Sequence, residues 1–166
     1  MFPSDGYFEY GGGMHPKRRI LHGAPGGVGG TLALTALRKT LAGIGLVHTT
    51  APEQVVDRLE DLSALEDMSP RTRLALTIAA HFAYGVGSGA AFALLRRESG
   101  DAKTEAAVGA ALGVLSWGVG WSSWLPLFGV HSPPWRQQTP KVLLPVLDHA
   151  VFGAVWGLLY RASRRP

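Results

Sequence analysis

The chain has 166 residues, 16 Lys and Arg against 12 Asp and Glu, a mean hydropathy of +0.12 and no cysteine. That length fits one domain, and the missing cysteine excludes disulfides, thiolate metal sites and cysteine nucleophiles. The net charge of +4 does not describe a nucleic-acid surface, because the basic residues cluster at the ends of apolar stretches instead of lining one face between aromatic stacking positions.

Residues 1–25 are Gly-rich and polar and read as a flexible segment, with the basic knot Lys17-Arg18-Arg19 near its end. The first predicted span, residues 26–48, is apolar except for Arg38 and Lys39. Those two charges interrupt the run where signal-peptide cleavage would follow, so the span reads as retained. Gly26, Gly27, Gly29 and Gly30 suit close approach of a neighbouring helix. Thr31, Thr35, Arg38 and Ala42 share one helical face, which points Arg38 into a bundle.

Residues 52–68 differ in kind. Val55, Val56, Leu59, Leu62, Leu65 and Met68 recur at helical spacing among acidic residues, which predicts an amphipathic helix beginning at Pro52. It is too polar to span and is expected to lie on the membrane surface or cap the bundle; a plain turn between spans is the alternative. Its acidity argues against anionic lipid.

The second predicted span covers residues 73–95, with no formal charge from Leu74 to Leu95. The third, Ala106 to Val130, runs 25 residues without Asp, Glu, Lys or Arg; roughly 20 suffice to cross the hydrocarbon layer. Val108-Gly109 echoes Val28-Gly29 at an offset of 80, and Trp124 and Trp135 suit an interfacial belt. Pro133, Pro134 and Pro140 make residues 131–141 an extended loop. The fourth span, 142–160, carries only Asp148.

The second and fourth spans repeat one another. At an offset of 68, His81 falls on His149, Tyr84 on Phe152, Gly85 on Gly153, Gly89 on Gly157, Phe92 on Tyr160 and Arg96-Arg97 on Arg164-Arg165. A period of that size fits a duplicated helical hairpin. Lys17, Arg18, Arg19, Arg96, Arg97, Lys103, Arg161, Arg164 and Arg165 gather at one side, against Arg58, Arg71, Arg73, Arg136 and Lys141 at the other. The positive-inside rule then places both termini in the cytoplasm, and the two hairpins run in the same sense. The expected fold is an all-α membrane protein: residues 26–166 form one domain of four transmembrane helices, as two parallel hairpin repeats, plus the amphipathic helix. Gly29, Gly85, Gly89, Gly109, Gly113, Gly153 and Gly157 are the expected helix-packing positions.

The glycine-rich first span ending in Arg38-Lys39, the HxxYGxxxG of His81 to Gly89, the Trp-rich span leading into Leu125-Pro126-Leu127-Phe128-Gly129 and Pro133-Pro134, and a last span beginning near Asp148-His149 together resemble the YagU-like family of bacterial multi-pass inner-membrane proteins. The likeness covers most of Gly26 to Arg165. It implies an inner-membrane location and supplies no catalytic roles.

Ionisable side chains inside a span cost about 2.5–3.5 kcal/mol each on insertion scales and mark sites by default. Arg38, Lys39, His81, Asp148 and His149, with Tyr84 beside them, form the candidate polar layer. Asp148 is expected to pair with Arg38 or Lys39, and His81 to face His149. Asp148 and His149, adjacent on a helix, point about 100° apart. No HxxxH pair, phosphate loop or dinucleotide fingerprint accompanies them, so neither a metal nor a cofactor is predicted.

Two functions fit this layer. It passes protons or a small solute in a channel-like or transporter-like protein, or it only specifies packing and oligomerisation in a structural or accessory membrane protein. An enzyme acting on lipid or isoprenoid ranks behind both. The expected partners are the bilayer and either a second copy or another membrane protein, with no nucleic acid.

Overall fold

The computed structural model describes residues 15–46, 50–63, 68–96 and 100–164. Among them there is no strand. The helices are α1 (Pro16–Gly43), α2 (Ala51–Ser63), α3 (Pro70–Leu95), α4 (Ala102–Ser122), the short α5 (Trp124–Leu127) and α6 (Thr139–Ser163), with a 3-10 turn at Pro134–Arg136. Pro70–Leu95, Ala102–Leu127 and Lys141–Ser163 are long and apolar enough to cross a membrane; α1 is not among them.

The boundaries differ from the sequence reading in ways local chemistry explains. α1 begins at Pro16, so residues 16–25 are helical, and Pro25 sits inside the helix instead of opening it. A proline at the first helical turn costs no hydrogen bond, which suits Pro16 to the start. α1 ends at Gly43, short of residue 48, because Gly45 turns the chain with φ 77°. The amphipathic helix stops at Ser63; the predicted continuation through residues 64–67 lies outside the described residues. The third span is not continuous to 130: it breaks at Ser123 and ends in α5, and Gly129 takes φ 72°. Side-chain oxygens start two helices: Ser69 Oγ accepts from the Thr72 amide at 3.1 Å, and Asp101 Oδ1 from the Thr104 amide at 2.7 Å.

α1 is one of the two inner helices, and its glycines explain why. A Cβ on Gly23 or Gly27 would strike the carbonyls of Gly89 and Gly85 on α3, while one on Gly26 or Gly30 would meet the backbone of Trp156 and Phe152 on α6 at 3.0 and 2.9 Å. Two glycine faces on one helix therefore admit two neighbours to backbone contact. Gly29 meets the Leu159 side chain on α6. Thr31, fully buried, donates its hydroxyl back to the Gly27 carbonyl at 3.0 Å, so its polar atom needs no partner from another helix.

α4 packs on α6 through an equivalent crossing. Cβ atoms on Gly109, Gly113 and Gly157 would strike the carbonyls of Gly153, His149 and Glu105. Gly109 thus holds against Gly153 the place that Gly27 holds against Gly85. The structural offset between α1 and α4 is 82, not the 80 that aligning Gly29 with Gly109 suggests.

Helix order across the bundle is α3, α1, α6, α4, with α1 antiparallel to both neighbours. The core between α3 and α6 is aromatic: Phe92, Phe152, Trp156 and Tyr160 are each at most 3 % exposed, and Phe92 stands edge-on to Tyr160 at 5.5 Å. One end of the bundle gathers the start of α1, the end of α3, the start of α4 and the end of α6. There Arg19 donates to Leu94 O, Tyr160 to Arg96 O, Arg161 to Gly100 O and Ser163 to His22 O.

At the opposite end α2 covers the bundle as a cap. Val56 is buried, Arg73 at the start of α3 pairs with Asp57 and Glu60, and Arg58 Nε donates to Phe128 O at 2.8 Å.

Candidate functional site

The polar layer forms where α1 and α6 leave their glycine contact. Backbone contact at Gly26 and Gly30 brings α6 close enough that, two turns further along α1, Arg38 Nη2 lies 2.6 Å from Asp148 Oδ2. Asp148 has no exposed surface and the Arg38 side chain is 13 % exposed. Their N–H and carboxylate are not aligned as an in-line hydrogen bond, and Asp148 Oδ1 has no hydrogen-bond partner among the described residues. Desolvating a carboxylate to this degree is tolerable only because a cation sits against it. Lys39, the other candidate partner, is exposed.

Pro145 lies within α6, and its carbonyl contacts His149 Nδ1 at 2.8 Å. A carbonyl can only accept, so Nδ1 carries a proton in this contact, and in the neutral tautomer the lone pair is on Nε2. His81 and His149 line the same cavity, together with Tyr84. Tyr84 is edge-on to His149 with centroids 6.3 Å apart and stacks on Phe152 at 6.0 Å. Its hydroxyl does not bond a histidine: it donates to Ser116 Oγ at 3.0 Å, and Ser116 donates on to Gly113 O at 2.7 Å.

That cavity, about 140 Å³, lies between α3 and α4, with Leu34, Arg38 and His149 contributed by α1 and α6 and Val55 of α2 over its outer end. Its walls are apolar and aromatic, with Trp117, Trp121 and Trp124 from α4 and α5. A second, more polar cavity of about 590 Å³ is lined by Arg38, Arg136, Lys141, Gln54 and His131 among others. Arg38 and Trp121 line both.

Sequence reasoning did not single out Ser116, Trp117 and Trp121 as site residues. The available signal was Ser116, a hydroxyl in the middle of an uncharged span. It also passed over a second buried ion pair, Arg96 with Glu105. Glu105 is fully buried, takes Arg96 Nη2 at 2.8 Å and accepts the Gly100 amide at 2.6 Å.

Among the described residues no three His, Asp or Glu side chains gather as a metal site. The chemistry within reach is the pairing of buried charges, hydrogen bonding by two imidazoles and a phenol, and attraction of an anion by the cations of the polar cavity. No family model, curated protein or solved structure matches the chain.

Proposed function

We propose that the protein is a structural or accessory membrane protein in which the buried ion pairs specify how two helical hairpins pack. In this reading α1 crosses the bilayer as a fourth span. Its low apolarity is tolerable because α3 and α6 shield its glycine faces, and polar residues within a membrane belong on such protein-facing surfaces. The hairpins α1–α3 and α4–α6 are then copies of one unit, with both termini at the cytoplasmic face of a bacterial inner membrane. The likeness to the YagU-like family is part of the same proposal and rests on the motifs quoted above.

The observation that carries the packing role is the pair itself: a fully buried Asp148 against Arg38, joining the two central helices. Lipid-facing apolar surfaces on α3 and α4, including Leu74, Ile78, Leu115 and Val119, offer sites for a second copy or another membrane protein.

Passage of protons or a small solute is the second reading, favoured by the meeting of two cavities at Arg38. Against it, the bundle beyond Tyr84 is filled by Phe92, Trp156 and Tyr160, so a conducting path would have to open through that layer. Flux into proteoliposomes decides between them. Variants Asp148→Asn and His81→Ala that stay folded but lose flux support transport; loss of folding or oligomerisation without any wild-type flux supports packing.

A further inference from the structure

The two hairpins meet twice, and the meetings are unequal. α6 closes on α1, where Gly26 and Gly30 face Trp156 and Phe152. Carried by the offsets of 82 and 68 that relate the glycine crossings, the matching positions are Val108 and Leu112 on α4 and Ser88 and Tyr84 on α3. Side chains stand there in place of glycines, and Val108 and Leu112 pack on the aromatic core. The same offsets carry Arg38 to Gly120 and Asp148 to Ala80, and both Gly120 and Ala80 line the apolar cavity. The cavity therefore occupies, in one interface, the place that the Arg38–Asp148 pair fills in the other.

We propose that this chamber binds a compact amphiphilic monocarboxylate, with its apolar body between Ala80, Gly120 and the tryptophans and its carboxylate at Arg38. The volume of about 140 Å³ is close to that of apolar cavities known to accept a benzene ring, roughly 150 Å³. Arg38 lines both the apolar chamber and the polar cavity, and its ion-pair contact with Asp148 is made through Nη2. Its planar donor fork matches a carboxylate. Asp148 neutralises Arg38, so the net attraction for an anion comes from Arg136 and Lys141 at the polar cavity, and among the described residues no Asp or Glu lines either space. His81, His149 and Tyr84 add hydrogen-bonding groups beside the ring position. A soluble aromatic acid and a fatty acid from the bilayer share this chemistry. The proposal is independent of the packing role, which concerns Asp148 and not the emptiness opposite it.

The test uses the full chain in phosphatidylcholine nanodiscs freed of fatty acid, with binding of 4-fluorobenzoate followed by fluorine NMR. Binding is expected, with fluorobenzene and acetate each at least ten-fold weaker. Ala80→Leu, which fills the chamber without touching a charge, should weaken binding ten-fold or more. Gly120→Ala is the second variant: its new methyl would sit 3.5 Å from Trp124 Nε1 and 3.7 Å from Leu125 Cδ1, ordinary contacts, so it should fold as wild type and still lose affinity several-fold. Displacement of the probe by lower concentrations of octanoate supports the carboxylate class and assigns its source to the bilayer. Equal binding of fluorobenzene, full competition by acetate, no binding at all, or unchanged affinity in the folded cavity variants would each overturn the proposal.

Discussion

Arg38 on α1 meets Asp148 on α6 at 2.6 Å, and this contact of two charges joins the inner helices of the bundle with the carboxylate fully buried. Removing one member of such a pair strands the other. Asp148→Asn should therefore destabilise by about 3–5 kcal/mol, whereas the double variant Arg38→Met with Asp148→Leu should recover most of that loss. Thermal unfolding in micelles measures both, and a single variant as stable as wild type would contradict the packing role.

The glycine crossings make a second expectation, because overpacked helix contacts typically cost 1–3 kcal/mol. Gly27→Ala and Gly109→Ala, whose methyl groups would collide with the carbonyls of Gly85 and Gly153, should each lose about that much. Gly87→Ala and Gly118→Ala meet nothing within 4 Å and should be neutral or slightly stabilising. Indistinguishable melting of the two classes would mean that α1–α3 and α4–α6 do not cross at backbone contact.

Asp101 gives a pH signature outside the three helices long and apolar enough to cross a membrane. The Thr104 amide donates to its carboxylate, and this hydrogen bond holds the Asp101 pKa below its ordinary value of 3.8. A depressed carboxylate pKa stabilises the fold fully above the unfolded pKa, and the contribution is lost as pH falls through the folded one. Wild type should therefore melt above Asp101→Asn at pH 6, with the gap closing once the pH drops below about 3.8. A gap that is constant or widens in acid would reject the capping role.

Orientation is open to direct labelling because the chain has no native cysteine. Ser132 and Lys103 are exposed at opposite ends of the bundle. Ser132→Cys should react with an impermeant maleimide in intact cells, and Lys103→Cys only after permeabilisation. The reverse pattern would invert the topology and the positive-inside argument with it.

Much of this was legible in the chain. Uncharged stretches of spanning length depend on composition alone, so α3, α4 and α6 could be placed from residue type. Pairing of Asp148 with a nearby cation followed from the cost of burying it alone. The chain leaves the choice between Arg38 and Lys39 open, although the helical face shared with Thr31 and Thr35 points Arg38 inward; the tertiary structure decides for Arg38. The helix ends were less legible: the chain reads as opening the first span after Pro25, whereas α1 starts at Pro16 and packs on α3 already at Gly23.

What the sequence determined by itself was the inventory: apolar segments, small residues at helical spacing, and a few ionisable groups that must find partners. Which glycine meets which carbonyl, and hence the offset of 82 instead of 80, was decided only by the three-dimensional packing, since several small residues in GGVGG satisfy the same pattern. The chamber beside Ala80 and Gly120 was likewise decided there. It lies between side chains of α3 and α4 with Leu34, Arg38 and His149 from α1 and α6, and the space between helices is a property of contacts across the chain that no local spacing records.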